Sequence, residues 1–287
     1  MDNKKLKDLA VRTLSGFVML LVVVGALIVS KWSAGALFAV IMIGGLLEFY
    51  RLCQKRGVAP MYAIGVATSL AAFGLAFALF YPKDYSLVAL DVVHIALVAL
   101  LYVMLMIPAT FVCELWRKSA TPIANIATTF MGIIYVALPM AAILYIPQLL
   151  VGEWNPWAML AFISIIWIND VFAYLVGVSI GKHRLCERIS PKKSWEGFFG
   201  GLIGAVGAAA LFGHLFEGNL YVWGGLGLVT ALAGVAGDLV ESMMKREADV
   251  KDSGKIMPGH GGFLDRFDAL YIAVPFVVIY LLLVVTF

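Results

Sequence analysis

Apolar residues run along this chain in long stretches that are separated by short charged segments. A helix needs about 20 mostly apolar residues to cross the ~30 Å hydrocarbon layer, because it rises ~1.5 Å per residue and lipid offers its backbone no hydrogen bonds. Nine stretches meet this condition: 14–30, 32–50, 61–81, 86–107, 122–146, 156–180, 197–216, 220–240 and 269–287. The pattern predicts an all-α, polytopic transmembrane bundle of about nine helices.

The fifth stretch is the least regular. Residues 122–150 are long for one span and short for two, and Pro139 and Pro147 could kink the helix or begin a re-entrant piece. An even number of helices would move the C-terminus to the other side of the membrane. The first stretch is interpreted as a retained signal-anchor, because further spans follow it and no small-residue cleavage site is evident.

Composition and charge add an orientation to this picture. With 62% hydrophobic and 14% charged residues, the chain is not a water-soluble globule. Of its 21 Lys and Arg residues, 19 fall in the N-terminal tail and in the loops after the second, fourth, sixth and eighth spans, leaving Lys31 and Lys83 on the other side. Cytoplasmic loops carry such an excess, so the N-terminus is expected inside and the C-terminus outside. The net charge of +3 suits anionic headgroups or phosphates and gives no reason to invoke nucleic acid.

The two halves of the chain differ in polarity. Residues 1–150 have short loops and few ionisable groups and are expected to form a scaffold, whereas 151–287 hold the charged loops of a catalytic region within the same membrane domain. Small residues in the second half allow neighbouring helices to approach closely. They include Gly200, Gly201, Gly204 and Gly207.

Three ionisable residues of the scaffold interrupt apolar stretches. Glu48 can pair with Arg51 at i+3, and Asp91 can pair with His94 at the same spacing. Charged groups within a membrane require a partner or a function, and we favour structural pairing for all three.

The first polar segment of the second half is 167–185. Asp170 lies about 11 residues before Gly181, hence roughly 16 Å below the helix end. An ionisable group at that depth costs at least ~2.5 kcal/mol unless it faces a polar cavity. Asp170, Tyr174 and Gly177 share one face at i, i+4 and i+7. We favour a cavity lining, with a hydrogen-bond clamp between helices as the alternative.

The second segment is the loop 188–201. Lys192 and Lys193 precede a helix that Ser194 can cap, with Glu196 in its first turn. Free backbone N–H groups, the positive helix end and two ammonium groups would then point the same way, which is an arrangement that phosphates use. Taken alone the signal is weak, since a Lys pair in such a loop is usually a topology signal.

The third segment, 237–268, is too rich in polar residues for a plain connector. Asp238, Ser242 and Lys245 lie on one helical stripe at i, i+4 and i+7, so a carboxylate, a hydroxyl and an ammonium group face one direction. The alternative for this segment is that Asp265, Arg266 and Asp268 are only helix N-terminal acids and a surface pair, which explains less of the loop.

The end of this segment supplies further oxygen ligands. Gly261 and Gly262 let the backbone approach a ligand closely, and Asp265 and Asp268 share a face at i, i+3 of the last helix. Carboxylate oxygens without Cys suit Mg²⁺, which is commonly held by one or two carboxylates and substrate phosphates. The pattern predicts a magnesium site.

These residues resemble the integral-membrane phosphatidate cytidylyltransferases, or CDP-diacylglycerol synthases. The likeness covers about 167–268 and is strongest in the string S-x-x-K-R-x-x-x-x-K-D-x-G-x-x-x-P-x-H-G-G-x-x-D-R-x-D. Here the string is Ser242, Lys245, Arg246, Lys251, Asp252, Gly254, Pro258, His260, Gly261, Gly262, Asp265, Arg266 and Asp268.

The resemblance implies the reaction of CTP with phosphatidate to give CDP-diacylglycerol and pyrophosphate. Asp238 and Asp265 are expected to be the principal Mg²⁺ ligands, Asp268 and Asp170 additional ligands, and a second metal ion is possible. Cationic side chains would hold the triphosphate and the lipid phosphate, namely Lys193, Lys245, Arg246 and Lys251, and Arg266 is also expected among the catalytic residues.

Orienting roles are expected for Ser242, for the Gly261 and Gly262 backbone and for His260, which is alternatively a proton donor to pyrophosphate. The expected substrate-binding set is completed by Tyr174, Lys182, Ser190, Lys192, Ser194, Glu196 and Asp252.

Two other functions stay open on the sequence. One is a related CTP-dependent lipid transferase or kinase that acts on another membrane alcohol or phosphate. The other is a transporter of anionic substrates, although transporters usually place the site near the midplane between similar halves. The resemblance also implies a homodimer, and the absence of targeting extensions favours a bacterial inner membrane with the active site on its cytoplasmic side.

Overall fold

The computed structural model of the protein describes residues 3–80, 92–254, 256 and 261–286. This part of the chain forms nine helices and one small sheet. The helices are α1 (Asn3–Val29), α2 (Lys31–Gln54), α3 (Tyr62–Phe80), α4 (Val92–Arg117), α5 (Pro122–Val151), α6 (Pro156–Ile180), α7 (Trp195–Leu215), α8 (Leu220–Glu247) and α9 (Leu264–Thr286). The strands are β1 (Arg184–Cys186) and β2 (Ser190–Ser194). The predicted bundle of about nine helices is confirmed.

Among the described residues, seven helices are long and apolar enough to cross a membrane: α2, α3 and α5 to α9. Helix α1 carries a shorter apolar run, Thr13–Val29. Large apolar side chains such as Val178, Ile203 and Phe276 are exposed on the outside of the bundle, as a lipid environment allows. The chain is an integral membrane protein, and the predicted orientation of its N-terminus stays a prediction.

Helix α5 resolves the uncertainty about the fifth stretch, because it runs as one bent helix of 30 residues. An α-helical start, Pro122–Gly132, is followed by a π-helical turn, Ile133–Ala137. Proline lacks a backbone N–H and pushes against the preceding turn, so the wider turn directly before Pro139 accommodates that residue. Pro147 likewise begins the last α-helical piece after a 3₁₀ turn.

In the C-terminal half, α6 and α7 pack closely against each other at glycine residues of α7. A Cβ atom at Gly201 would lie 2.7 Å from Asn169 Oδ1, and Gly200 and Gly204 meet side chains of α6 as closely. The prediction of close packing was wrong for Gly207, around which the described residues leave 4 Å of open space. Gly207 continues the i, i+4, i+7 stripe of Gly200 and Gly204, so helical spacing alone does not decide which glycine meets a neighbouring helix.

The segment between α6 and α7 departs from the all-α expectation. Strands β1 and β2 pair antiparallel, with Arg184 opposite Ser194 and Cys186 opposite Ser190. The backbone N–H of Trp195 donates to the carbonyl oxygen of His183 at 2.9 Å and closes the hairpin. So short a return between two helices leaves backbone groups without helical partners, and strand pairing satisfies them.

Helix α9 lies against both halves of the molecule. Tyr271 of α9 is 1% exposed, packs on Tyr135 of α5 and donates its hydroxyl to the Ile41 carbonyl oxygen of α2 at 3.4 Å. The acids at the start of α9 are therefore held against the N-terminal helices. The predicted division near residue 150 stays a prediction.

The two ion pairs predicted within the scaffold have different outcomes. The Glu48–Arg51 pair was wrong: Glu48 is fully buried and turns toward the start of α9, whereas Arg51 is exposed at the surface. Asp91 lies outside the described residues, so its pairing with His94 stays a prediction.

Candidate active site

A cavity of about 580 Å³ opens between α6, the β1–β2 hairpin, α7 and α8. This volume falls within the range of small-molecule sites. Its lining includes many of the residues that were expected to contact substrates: Asp170, Tyr174, Gly177, Lys192, Lys193, Ser194 and Asp238. Two residues that the sequence did not single out, Arg184 and Leu185 of β1, complete the hairpin wall. The structure therefore brings the first two polar segments together with the start of the third.

The cavity has a charged pair at its wall. Lys193 Nζ of β2 forms an ion pair with Asp238 Oδ2 of α8. The Ser242 hydroxyl donates to Asp238 Oδ1 at 3.2 Å from one turn further along α8, as the helical stripe predicted. A cation, a carboxylate and a hydroxyl thus meet at one place.

Three carboxylates lie close together at the base of this wall. One oxygen each from Asp238, Glu241 and Asp268 lies within 4.8 Å of the others. Glu241 is fully buried, and its Oε1 atom has no hydrogen-bond partner among the described residues. A buried carboxylate oxygen left open beside two other acids suits a divalent cation, because burial of such a group otherwise costs free energy.

Glu241 is the functional candidate that sequence reasoning missed. It lies at i+3 from Asp238, a spacing that brings two helical side chains together. That spacing was the available signal, but the stripe through Ser242 and Lys245 drew attention to the neighbouring face of the helix.

Lys245 connects this acid cluster to the predicted ligand Asp265. Its Nζ forms an ion pair with Glu241 and lies 2.8 Å from Asp265 Oδ1. The other oxygen of Asp265 accepts hydrogen bonds from the Ser253 backbone N–H (2.9 Å), the Ser253 hydroxyl (2.8 Å) and the Gly262 backbone N–H (2.8 Å). The structure thus places Asp265 in a hydrogen-bond network beside the acid cluster.

Asp170 lines three pockets of the structure. Besides the main cavity, it lines a pocket of about 30 Å³ together with Arg266 and Asp268. It also lines an open, mostly apolar groove of about 310 Å³ between α1 and α6, with Met19 and Val171. The predicted cavity lining by Asp170 and Tyr174 is present in the structure.

Ser194 and Glu196 hold the hairpin in place. The Ser194 hydroxyl accepts from the Gly197 backbone N–H at 3.1 Å and caps α7, as predicted. Glu196 accepts from the backbone N–H groups of Lys182 and His183 and lies 2.6 Å from His183 Nδ1. Its carboxylate therefore secures the start of the hairpin.

The remaining expected residues surround this centre. Arg246 Nε donates to the carbonyl oxygen of Ile189 at 3.4 Å and so ties α8 to the hairpin turn. Ser190 lies half-buried in β2, and Lys251 and Asp252 are exposed on the loop after α8. His260 lies outside the described residues.

The two glycines approach carboxylates of the protein. Gly261 has a φ of +88°, which favours glycine, and a Cβ atom there would lie 2.5 Å from Asp265 Oδ2. A Cβ atom at Gly262 would overlap the carboxylate of Glu48. Both glycines therefore allow the chain to close around buried acids.

Together these groups place ammonium and carboxylate side chains around one polar cavity. Ammonium groups at the wall can neutralise phosphate oxygens, and the acid cluster can hold a cation that bridges to them. The fold and the site define a membrane-embedded helical protein with a polar cavity at one end of the bundle.

Comparison with known proteins identifies the family. A model of the cytidylyltransferase family matches residues 10–284, and the chain belongs to this family. A phosphatidate cytidylyltransferase of Bacillus subtilis is 31% identical over 94% of this chain and 96% of its own length.

Shorter matches concern part of the chain. Proteins of the same name from Staphylococcus aureus (strain COL) and Haemophilus influenzae are 49% and 47% identical over 39% of this chain. These matches span 44% and 41% of the two relatives' own lengths.

Proposed function

We propose that the protein is a phosphatidate cytidylyltransferase that converts CTP and phosphatidate into CDP-diacylglycerol and pyrophosphate. The family match and the names of the relatives support this reaction. The observation that carries the proposal is the convergence of Lys193, Asp238, Glu241 and Asp268 at one cavity wall. Such a convergence supplies both a phosphate contact and a cation site.

The reaction joins two polyanions, so charge neutralisation and alignment are its main requirements. An oxygen of the phosphatidate phosphate attacks the α-phosphorus of CTP; a new P–O bond forms and the bond to the departing pyrophosphate breaks. The second pKa of a phosphate monoester is about 6, so this oxygen is largely ionised at neutral pH. The chain therefore needs no strong general base, and in-line positioning supplies much of the rate.

Lys193 is proposed as the main phosphate contact of the cavity. Its ammonium group already lies at the wall, paired with Asp238, and Lys192 and Arg184 line the same space. Asp238 would hold a cation, and the neighbouring Lys193 ammonium group would contact phosphate oxygens. Arg246 and Lys251 remain proposed as contacts for the triphosphate and the lipid phosphate.

Asp238, Glu241 and Asp268 would hold Mg²⁺. When bound, the cation withdraws charge from the phosphate oxygens and orients the triphosphate. Asp265, expected from the sequence as a principal ligand, and Asp170, expected as an additional one, are proposed as further ligands, for a second metal ion if one binds. Lys245 keeps Glu241 and Asp265 in place between these positions.

The surroundings of the site suit a lipid substrate. The apolar groove between α1 and α6 reaches Asp170, the residue that also lines the main cavity. We propose that the cavity opens to the cytoplasm for CTP and sideways to the inner leaflet for the lipid, in a bacterial inner membrane. A homodimer is proposed from the family likeness.

The test uses detergent-purified protein with phosphatidate, radiolabelled CTP and Mg²⁺, with and without EDTA. Label is followed into the organic phase. Chelator-sensitive labelled CDP-lipid supports the reaction and the metal together. Label in a different lipid product would instead favour a related transferase or kinase, and binding of CTP or phosphatidate without any product would leave a transporter as the alternative.

A further inference from the structure

Glu48 of α2 is a buried acid that the proposed reaction does not use. It is 0% exposed, and its Oε2 atom accepts from the Leu264 backbone N–H at 2.8 Å and lies 3.0 Å from the Ser253 hydroxyl, whose single proton is shared between Glu48 and Asp265. Its partners lie more than 200 residues further along the chain. Burial of a carboxylate is costly, and these two bonds offset part of that cost.

The two partners of Glu48 sit at both ends of the loop that precedes α9. Ser253 follows α8, and Leu264 is the first residue of α9. Leu264 is fully buried, and its N–H is one of the orphan donors of a helix start. Glu48 therefore acts as the N-terminal cap of α9 from another helix.

The loop closes tightly around the Glu48 side chain. A Cβ atom at Gly254 or Gly262 would overlap its carboxylate. The backbone can follow this path at these two positions because glycine has no side chain. The carboxylate thus lies between the backbone at Gly254 and at Gly262.

Ser253 connects Glu48 to Asp265 of the candidate site. Its hydroxyl lies between Glu48 Oε2 and Asp265 Oδ2, at 3.0 Å and 2.8 Å, and its backbone N–H also donates to Asp265. Asp265 in turn accepts from Lys245, which pairs with Glu241 of the acid cluster. A continuous set of contacts therefore runs from α2 to the candidate metal ligands.

We propose that Glu48 is a positioning residue that sets the place of Asp265 and Lys245 through Ser253 and the start of α9. The inference rests on the proposed function, which gives Lys245 and Glu241 their role. It extends the site into the N-terminal half, which the sequence assigned to scaffold. Small displacements of reacting groups cost enzymes up to ~100-fold in rate, so the loss of this anchor acts on turnover.

The experiment compares Glu48→Gln and Glu48→Ala in the full chain. Glu48→Ala removes the one oxygen that both donors contact and is expected to lower kcat by ~10–100-fold while KM for CTP changes by less than about twofold. Glu48→Gln keeps a carbonyl oxygen for the Leu264 N–H and is expected to recover most of kcat. A Glu48→Ala/Ser253→Ala double variant is expected to lose no more than the worse single variant, because coupled residues are not additive.

Glu114 provides the matched control. It is a buried carboxylate of the N-terminal half, 2% exposed, and bonds to Arg117 and Asn125 away from the cavity. Glu114→Ala is expected to lower the thermal midpoint and to leave kcat of the folded protein unchanged. If Glu48→Ala behaves in the same way, Glu48 is structural only and the inference is wrong.

A second measurement does not depend on the reaction. Hydrogen–deuterium exchange is expected to rise at the amides of Ser253, Gly262 and Leu264 in Glu48→Ala, and not in Glu114→Ala. Unchanged exchange at these amides would overturn the inference even if the enzyme assay works. A wild-type protein that makes no CDP-lipid would overturn the proposed function instead, while the exchange experiment would still decide the anchoring.

Discussion

Lys193 of the hairpin and Asp238 of α8 form an ion pair across the wall of the main cavity. Both side chains remain partly exposed, at 27% and 40%, so ligands in the cavity can reach them. The pair joins two segments that lie far apart in sequence. If a cation bound Asp238 or a phosphate bound Lys193, the other member of the pair would lose its partner.

Loss of the Lys193 ammonium group is expected to impair turnover strongly. Removal of one preorganised donor to a transition state costs about 100- to 1,000-fold in rate, and Lys193→Met is expected to fall in that range. Lys55→Met, which removes an exposed lysine after α2, is the control and should retain wild-type activity. Steady-state formation of CDP-lipid measures both, and near-normal activity of Lys193→Met would exclude it as the phosphate contact.

Glu241 is expected to be a metal ligand. Glu241→Gln should weaken Mn²⁺ binding, followed by electron paramagnetic resonance, by at least about tenfold. Glu247→Gln is the matched control, because Glu247 lies on the same helix but pairs with Arg56 at the surface. Asp265→Asn tests the ligand expected from the sequence. Strong loss of Mn²⁺ in that variant, with normal binding in Glu241→Gln, would favour Asp265 instead.

Substitution of two glycines of α7 by alanine tests the effect of packing on stability separately from the effect of helix propensity. Gly201→Ala places a methyl group 2.7 Å from Asn169 Oδ1 and is expected to destabilise the protein by ~1–3 kcal/mol through overpacking. Gly207→Ala adds the same methyl group in open space and is expected to be neutral or stabilising by up to ~1 kcal/mol. Thermal midpoints in detergent compare the two; equal midpoints would contradict the packing argument.

Glu196 is expected to control the order of the hairpin. Glu196→Ala removes the acceptor of the Lys182 and His183 N–H groups and frees the start of β1. Limited trypsin digestion should then cut the hairpin at Arg184 or Arg188 faster than in wild type, because proteolysis follows local opening. Glu187→Ala, an exposed acid of the hairpin turn, should leave the cleavage rate unchanged. An unchanged rate in Glu196→Ala would mean that other contacts hold the hairpin.

The helices could be predicted from the sequence because the bilayer imposes a length on each apolar stretch. The number, order and approximate limits of the helices followed from that requirement alone. The hairpin at 184–194 could not be found in this way, since it lies outside the apolar stretches and its strands are three and five residues long. Strands this short leave little periodicity to detect.

The site was predictable where its residues share one helix face and less so where it depends on distant contacts. The Asp238–Ser242 contact follows from helical spacing. The anchoring of Glu48 by Ser253 and Leu264 depends on how α2 and α9 pack, and the local partner Arg51 offered a simpler but wrong explanation. The sequence singled out Asp265 as a metal ligand, but its four hydrogen-bond donors could not be predicted because they come from distant turns or from the backbone.

The glycine contacts between α6 and α7 make that side of the cavity more rigid than the rest of its wall. Helices α6 and α7 are in contact at Gly200, Gly201 and Gly204 and cannot move closer there, and their separation would open an unfilled gap between them. Any change in the width of the cavity therefore falls on the walls outside these glycine contacts, the hairpin and α8. A bulky substrate would be admitted by moving these outer parts while Asp170 keeps its place on α6.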